Sequence, residues 1–76
     1  MEFTKTEQRI LDVLKDGDRH GREELRATID EMASYNTLAV NVFRLRKKLE
    51  VIGQDIACEY RKGSYFYRQI RLISVS

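Results

Sequence analysis

A chain of 76 residues is expected to form one domain over 1–76, burying only roughly 60% of the surface it exposes when unfolded. One cysteine, Cys58, and one histidine, His20, exclude an internal disulfide and a cysteine-based metal cluster, and no cofactor or metal is implied. The net charge of +2 conceals a segregation: residues 1–35 hold six Lys/Arg against nine Asp/Glu (−3), residues 36–76 hold eight against three (+5), and such a split points to an anionic partner.

The apolar residues never run far without a charge, and no stretch has signal-peptide or membrane-span length. The expectation is a complete cytoplasmic protein with no membrane partner. No proline, repeat or low-complexity tract divides the chain, so periodicity must supply its organisation.

FTKTEQRILDVLKDG carries Ile10, Leu11, Val13 and Leu14 as a helical stripe, and Thr4 with Glu7 three residues on spells a capping box. With Gly17 as the stop, helix one is predicted at about 5–16. DGDRHG is a turn, with one or two extended residues at Arg19–His20. GREELRATIDEM places Leu25, Ile29 and Met32 at helical spacing and Glu23 and Glu24 in the first turn, where the helix dipole favours them, giving helix two at about 22–33.

ASYN is a short connection in which Ser34 or Asn36 caps the next helix. In NTLAVNVFRLRKKLE, Leu38, Val42, Leu45 and Leu49 recur at steps of four, three and four, a core face for helix three at about 37–50. Thr37, Val40, Asn41, Arg44, Lys47 and Lys48 share the opposite side. Beyond Gly53, Ile56, Cys58 and Tyr60 alternate with Ala57, Glu59 and Arg61 as in a strand, and RKGS reads as a hairpin turn. Tyr65, Tyr67, Ile70, Leu72 and Ile73 return, with an apparent parity shift near Arg68–Gln69. The wing then spans about 55–73. The fold class is mainly α with a small antiparallel β wing (α+β): a winged helix-turn-helix of three helices plus a C-terminal hairpin.

These segments resemble the effector domains of OmpR/PhoB-type response regulators. FTKTEQRILDVL is similar to that family's "LTPTEFxLLxxL", REEL to "SREQL", NTLAVNVFRLRKKLE to "RTVDVHIxRLRKKLE" and EYRKGSYFY to "TVRGxGYRF". The resemblance covers nearly the whole chain but includes no receiver domain and no N-terminal sheet, so a free-standing bacterial or phage regulator is expected. The connection between helices two and three is cut to about MASYN, and a contact with RNA polymerase stays open. The resemblance implies that Arg44 reaches bases or nearby phosphates and that Arg61 is the wing arginine of the minor groove, with Lys62 beside it.

The residues themselves fit double-stranded DNA. A helix enters the major groove, where base edges carry a distinguishable donor and acceptor pattern. Asn41 can offer an amide to adenine, Thr37 lies one turn earlier, and Arg46, Lys47 and Lys48 suit flanking phosphates. Phe43 and, less so, Val40 interrupt the polar side; Phe43 could meet the wing, a protein or a thymine methyl. Tyr60, Tyr65, Phe66 and Tyr67 are expected in the core, Cys58 as a buried strand residue and His20 as a turn residue.

The leading expectation is a sequence-specific transcriptional regulator. A winged-helix protein-interaction module and an excisionase-like DNA-architectural protein are the alternatives. No carboxylate pair, nucleophile with a base or glycine-rich phosphate loop stands out, so the chain is not expected to be an enzyme. Edge pairing of RQIRLISVS offers one route to a homodimer on DNA.

Overall fold

The computed structural model describes residues 2–72 of the chain. Its elements run α1 (Lys5–Leu14), β1 (His20–Gly21), α2 (Arg22–Ile29), α3 (Tyr35–Glu50), β2 (Gln54–Arg61) and β3 (Ser64–Arg71). Three helices and a three-stranded antiparallel sheet of order β1-β3-β2 make an α+β winged helix, as the fold class anticipated.

α1 starts where the sequence says it should. The Thr4 hydroxyl accepts from the Glu7 amide at 3.1 Å, and the Thr4 amide donates to Glu7 Oε1 at 2.8 Å. The helix ends two residues before the predicted boundary, and Gly17 follows at φ 80. α2 is shorter than expected. Asp30 is extended (φ −170), its carboxylate accepts from the Met32 amide, and the Arg26 guanidinium donates to the carbonyls of Glu31 and Ala33. These bonds give the chain's polar backbone partners outside the helix, so Met32 leaves the predicted stripe and stands 89% exposed. α3 begins at Tyr35, two residues earlier than predicted, because Ser34 is its cap: the Ser34 hydroxyl accepts from the Thr37 amide at 3.1 Å.

The core comprises Ile10, Leu11, Leu14, Leu25, the four α3 residues Leu38, Val42, Leu45 and Leu49, and Ile56 of β2. Each is worth about 1.5–3 kcal/mol of burial, so α3 is the element most firmly seated. The hairpin turns at Lys62 (φ 49) and Gly63 (φ 79), and two positive φ values in a row make a type I′ turn, whose twist matches that of its strands.

Two expectations about the wing are corrected. The register is unbroken from Gln54↔Arg71 to Arg61↔Ser64, so parity does not shift at Arg68–Gln69. β3 is the central strand, paired with β2 throughout and with β1 only at Phe66 and Tyr67, so Arg68–Arg71 of the expected edge have β2 as their one strand partner among the described residues. Ile73 and the end of RQIRLISVS lie outside the described residues. Cys58 is exposed, as are Tyr60 and Tyr65, which meet edge-to-face at 4.9 Å; Tyr67 alone of the four sheet aromatics packs against the core.

Candidate nucleic-acid interface

At about 100° per residue, the α3 leucine stripe leaves an outward ridge centred on Asn36, Val40, Phe43 and Lys47, with Arg44 on one shoulder. Burial follows this wheel: Val40, Phe43, Arg44 and Lys47 are exposed, whereas Asn41 and Lys48 are half-buried on the flank toward α1. Thr37 is exposed at the first turn, its hydroxyl 3.1 Å from that of Ser34. The Asn41 amide donates to the Thr37 carbonyl at 2.8 Å, which holds the side chain along the helix.

Two of the five basic or amide groups beyond Val40 are committed to bracing the helix. On the sheet side, the Arg46 guanidinium donates to both oxygens of Asp55, at 2.9 and 3.4 Å, and holds that carboxyl below its usual range. Asp55 also accepts from the Ile56 amide at 2.8 Å. On the opposite flank, Lys48 Nζ lies 2.5 Å from Oε1 of Glu7, which is 1% exposed. Burial raises the Glu7 pKa, but Lys48 and the Thr4 amide together outweigh it and leave the carboxyl below its ordinary value. α3 is therefore clamped by one ion pair to β2 and another to α1.

Among the described residues, Arg44, Lys47 and Lys62 make no ion pair. Lys47 instead places its ammonium 5.1 Å from the Phe43 ring centroid. Phe43 is 58% exposed and forms one wall of a groove of about 390 Å³ with Arg46, Glu50, Asp55 and Leu72. It therefore borders the start of the sheet, well away from the wing tip.

The wing tip presents Lys62 at the apex of the turn and Arg61 on the strand beside it. Alternation along β2 puts Ile56 on the face that packs on α3 and Ala57, Glu59 and Arg61 on the other face. Arg61 thus looks away from α3, while Lys62 stands at the boundary of the two faces. Between wing and helix, Arg22 of α2 stacks over the rings of Tyr35 (4.3 Å) and Tyr65 (5.1 Å), linking the first turn of α3 to β3. Tyr35 donates to Glu23, which Arg26 and Tyr35 hold at a pKa of about 2. Sequence reasoning missed this brace; its only local trace is the Arg22–Arg26 pair around an acidic first turn.

No family model matches the chain. It is 41% identical over 66 residues to the response regulator protein GraR of Staphylococcus aureus (strain MRSA252), a match covering 80% of this chain and 30% of that protein. The chain thus spans less than a third of that relative's length. Among solved structures, a chain of the Nse1-Nse3-Nse4 complex matches 99% of this chain, and 36% of its own length, with a TM-score of 0.78 at 15% identity, a likeness of fold alone. No helix among the described residues is long and apolar enough to cross a membrane, and none of their His, Cys, Asp and Glu side chains gather as a metal site.

Proposed function

We infer that this domain binds double-stranded DNA sequence-specifically as a small transcriptional regulator of the bacterial cytoplasm, working by recognition and not by catalysis. α3 enters the major groove, and Lys62 at the wing apex meets the adjacent minor groove or backbone, whereas Arg61, expected beside it, lies on the sheet face turned away from α3. The observation that carries this reading is the division of labour on α3: Arg46 and Lys48 are spent on ion pairs that fix the helix, whereas Arg44 and Lys47, on its outward side, make no ion pair among the described residues. Fixed geometry with free guanidinium and ammonium groups is what base and phosphate recognition needs. The similarity to a response regulator over 66 residues supports the same reading.

Selection of bound sequences from random duplex DNA tests it. An enriched motif is expected, with mobility shifts that weaken as salt rises; no enrichment and no shift even at low salt would refute the reading. With α3 and the apex as the contact, Arg44, Lys47 and Lys62 supply about three phosphate or base contacts, and log K should fall against log salt with a slope of about −3. A motif with repeated half-sites would indicate a homodimer on DNA.

A second reading rests on the groove of Phe43 and Leu72, where an apolar ring stands among charged neighbours. There the domain would hold a protein partner through α3 and use its basic residues for steering. A pull-down that survives DNase and is abolished by Phe43→Ala would favour it.

A further inference from the structure

The face of the sheet turned away from α3 gathers cations that lie far apart in sequence. The β1–β3 register sets His20 opposite Tyr67, so Arg19 comes beside Arg68, and the β2–β3 register sets Arg68 opposite Ala57, two residues from Glu59. Glu59 is the hub: Arg19 bonds it directly, and Arg61 and Arg68 each reach it at 3.7 Å. One carboxylate thus faces three guanidinium groups, and the face keeps a net charge of +2, with Lys62 at its rim. The three arginine side chains remain 38–60% exposed. Between Arg19 and the wing tip, a groove of about 290 Å³ is lined by Arg19, Arg61, Lys62, Ser64 and Phe66.

We propose that this outer face binds the phosphate backbone of a second DNA duplex, so that one domain bridges two duplexes. The inference rests on the DNA-binding reading above. Charge and spacing argue for it. From the level of Arg68 and Ala57 to Arg61 is four residues, about 13 Å at the rise of a strand. Projected on the helix axis, that length corresponds to about four phosphates of one strand. A protein partner fits less well, because the face offers half-buried Phe66 and Ile70 but no deep apolar pocket to anchor a hot spot. A single duplex cannot serve both sides. The molecule is 20 Å across its thinnest axis, and folding one duplex back around it works against a persistence length of about 500 Å.

The test uses immobilised duplex, the protein, and a free labelled duplex at low salt, with a mobility shift on single duplexes run in parallel. The wild type should capture the free duplex. Arg19→Gln/Arg68→Gln should reduce capture at least tenfold while leaving the selected-sequence mobility shift in place. If that double variant does not fold, Arg19→Gln alone gives the same outcome with a smaller drop. A normal shift with no capture overturns the proposal and leaves DNA reading intact. The absence of any shift overturns both. Capture undiminished in the double variant also overturns it, since a protein dimer is then the bridge. Binding of a poly-glutamate peptide in place of DNA would assign the face to an acidic protein and overturn it as well.

Discussion

Lys48 of α3 and Glu7 of α1, 41 residues apart, meet at 2.5 Å, and the carboxylate they share with the α1 cap is almost wholly buried. Among the described residues, the second oxygen of Glu7 has no hydrogen-bond partner. This makes Lys48 structural in a way that its place in a run of basic residues conceals. Removing it leaves a buried charge short of its main counterion.

Lys48→Ala is therefore expected to act on stability. A charged hydrogen bond of about 1.5–3 kcal/mol is lost, and in a domain this small that lowers Tm by roughly 10 °C. Thermal unfolding and a salt titration of DNA binding check this together. An unchanged Tm with a salt slope reduced by about one would make Lys48 a phosphate contact instead. Glu7→Gln in the same chain should recover part of the loss, because neither charge is then left alone.

Arg44 and Lys47 should differ in kind. Arg44→Ala is expected to cost about 1–3 kcal/mol on the selected sequence and little on random DNA, flattening the preference. Lys47→Ala should weaken both by the same factor and reduce the salt slope by about one. Parallel titrations on selected and scrambled duplexes separate the two; equal losses in Arg44→Ala would place that side chain on a phosphate.

The wing apex couples turn strain to charge. Lys62 holds φ 49, a left-handed conformation that costs a side chain about 1–2 kcal/mol. Asn tolerates it better, and Asn-Gly is the favoured type I′ pair. Lys62→Asn should raise stability by about 0.5–1 kcal/mol and weaken DNA binding. Denaturant unfolding and mobility shifts should move in opposite directions, whereas a fall in both would mean the ammonium group steadies the hairpin.

His20 sets a pH dependence. Its Nε2 lies 3.0 Å from both oxygens of Asp16, in the turn after α1, and its Nδ1 lies 2.6 Å from Glu24 of α2, with Tyr67 opposite on β3. Asp16 first raises its pKa; burial opposes, and Glu24 adds to the rise, leaving the value above the ordinary 6.5. A raised pKa means stability fully present below about 6.5 and lost as the pH climbs through the folded-state value. Tm should thus decline from pH 6.5 into the alkaline range, and His20→Gln should remove that slope. A flat Tm profile in the wild type would show that the imidazole is neutral between the two carboxylates.

Local chemistry was readable and tertiary chemistry was not. The Thr4–Glu7 box, the α3 leucine steps and the RKGS turn each depend on residues within four positions, and each is found where the pattern put it. Met32 misled because a helical spacing says nothing about Arg26, whose guanidinium takes the carbonyls that end α2. Cys58 and Tyr60 alternate as buried residues would, but beside α3 Cys58 borders an open groove with Leu38 and Ala39, and Tyr60 stands exposed nearer the wing tip. The cluster of Arg19, Arg61 and Arg68 depends on strand register between segments 40 residues apart in the case of Arg19 and Glu59. On α3, the wheel position of Lys48 at the margin of the leucine stripe was the available hint that it faces a neighbour and not solvent.

The first turn of α1 and one flank of α3 meet at one carboxyl group. Whenever Thr4 and Glu7 part and that turn frays, Lys48 is released as well, while the four buried residues and the Arg46–Asp55 pair keep α3 in the core. Amide exchange at Glu7 should therefore keep pace with the release of Lys48, so that the opening turn of α1 is coupled to one flank of α3.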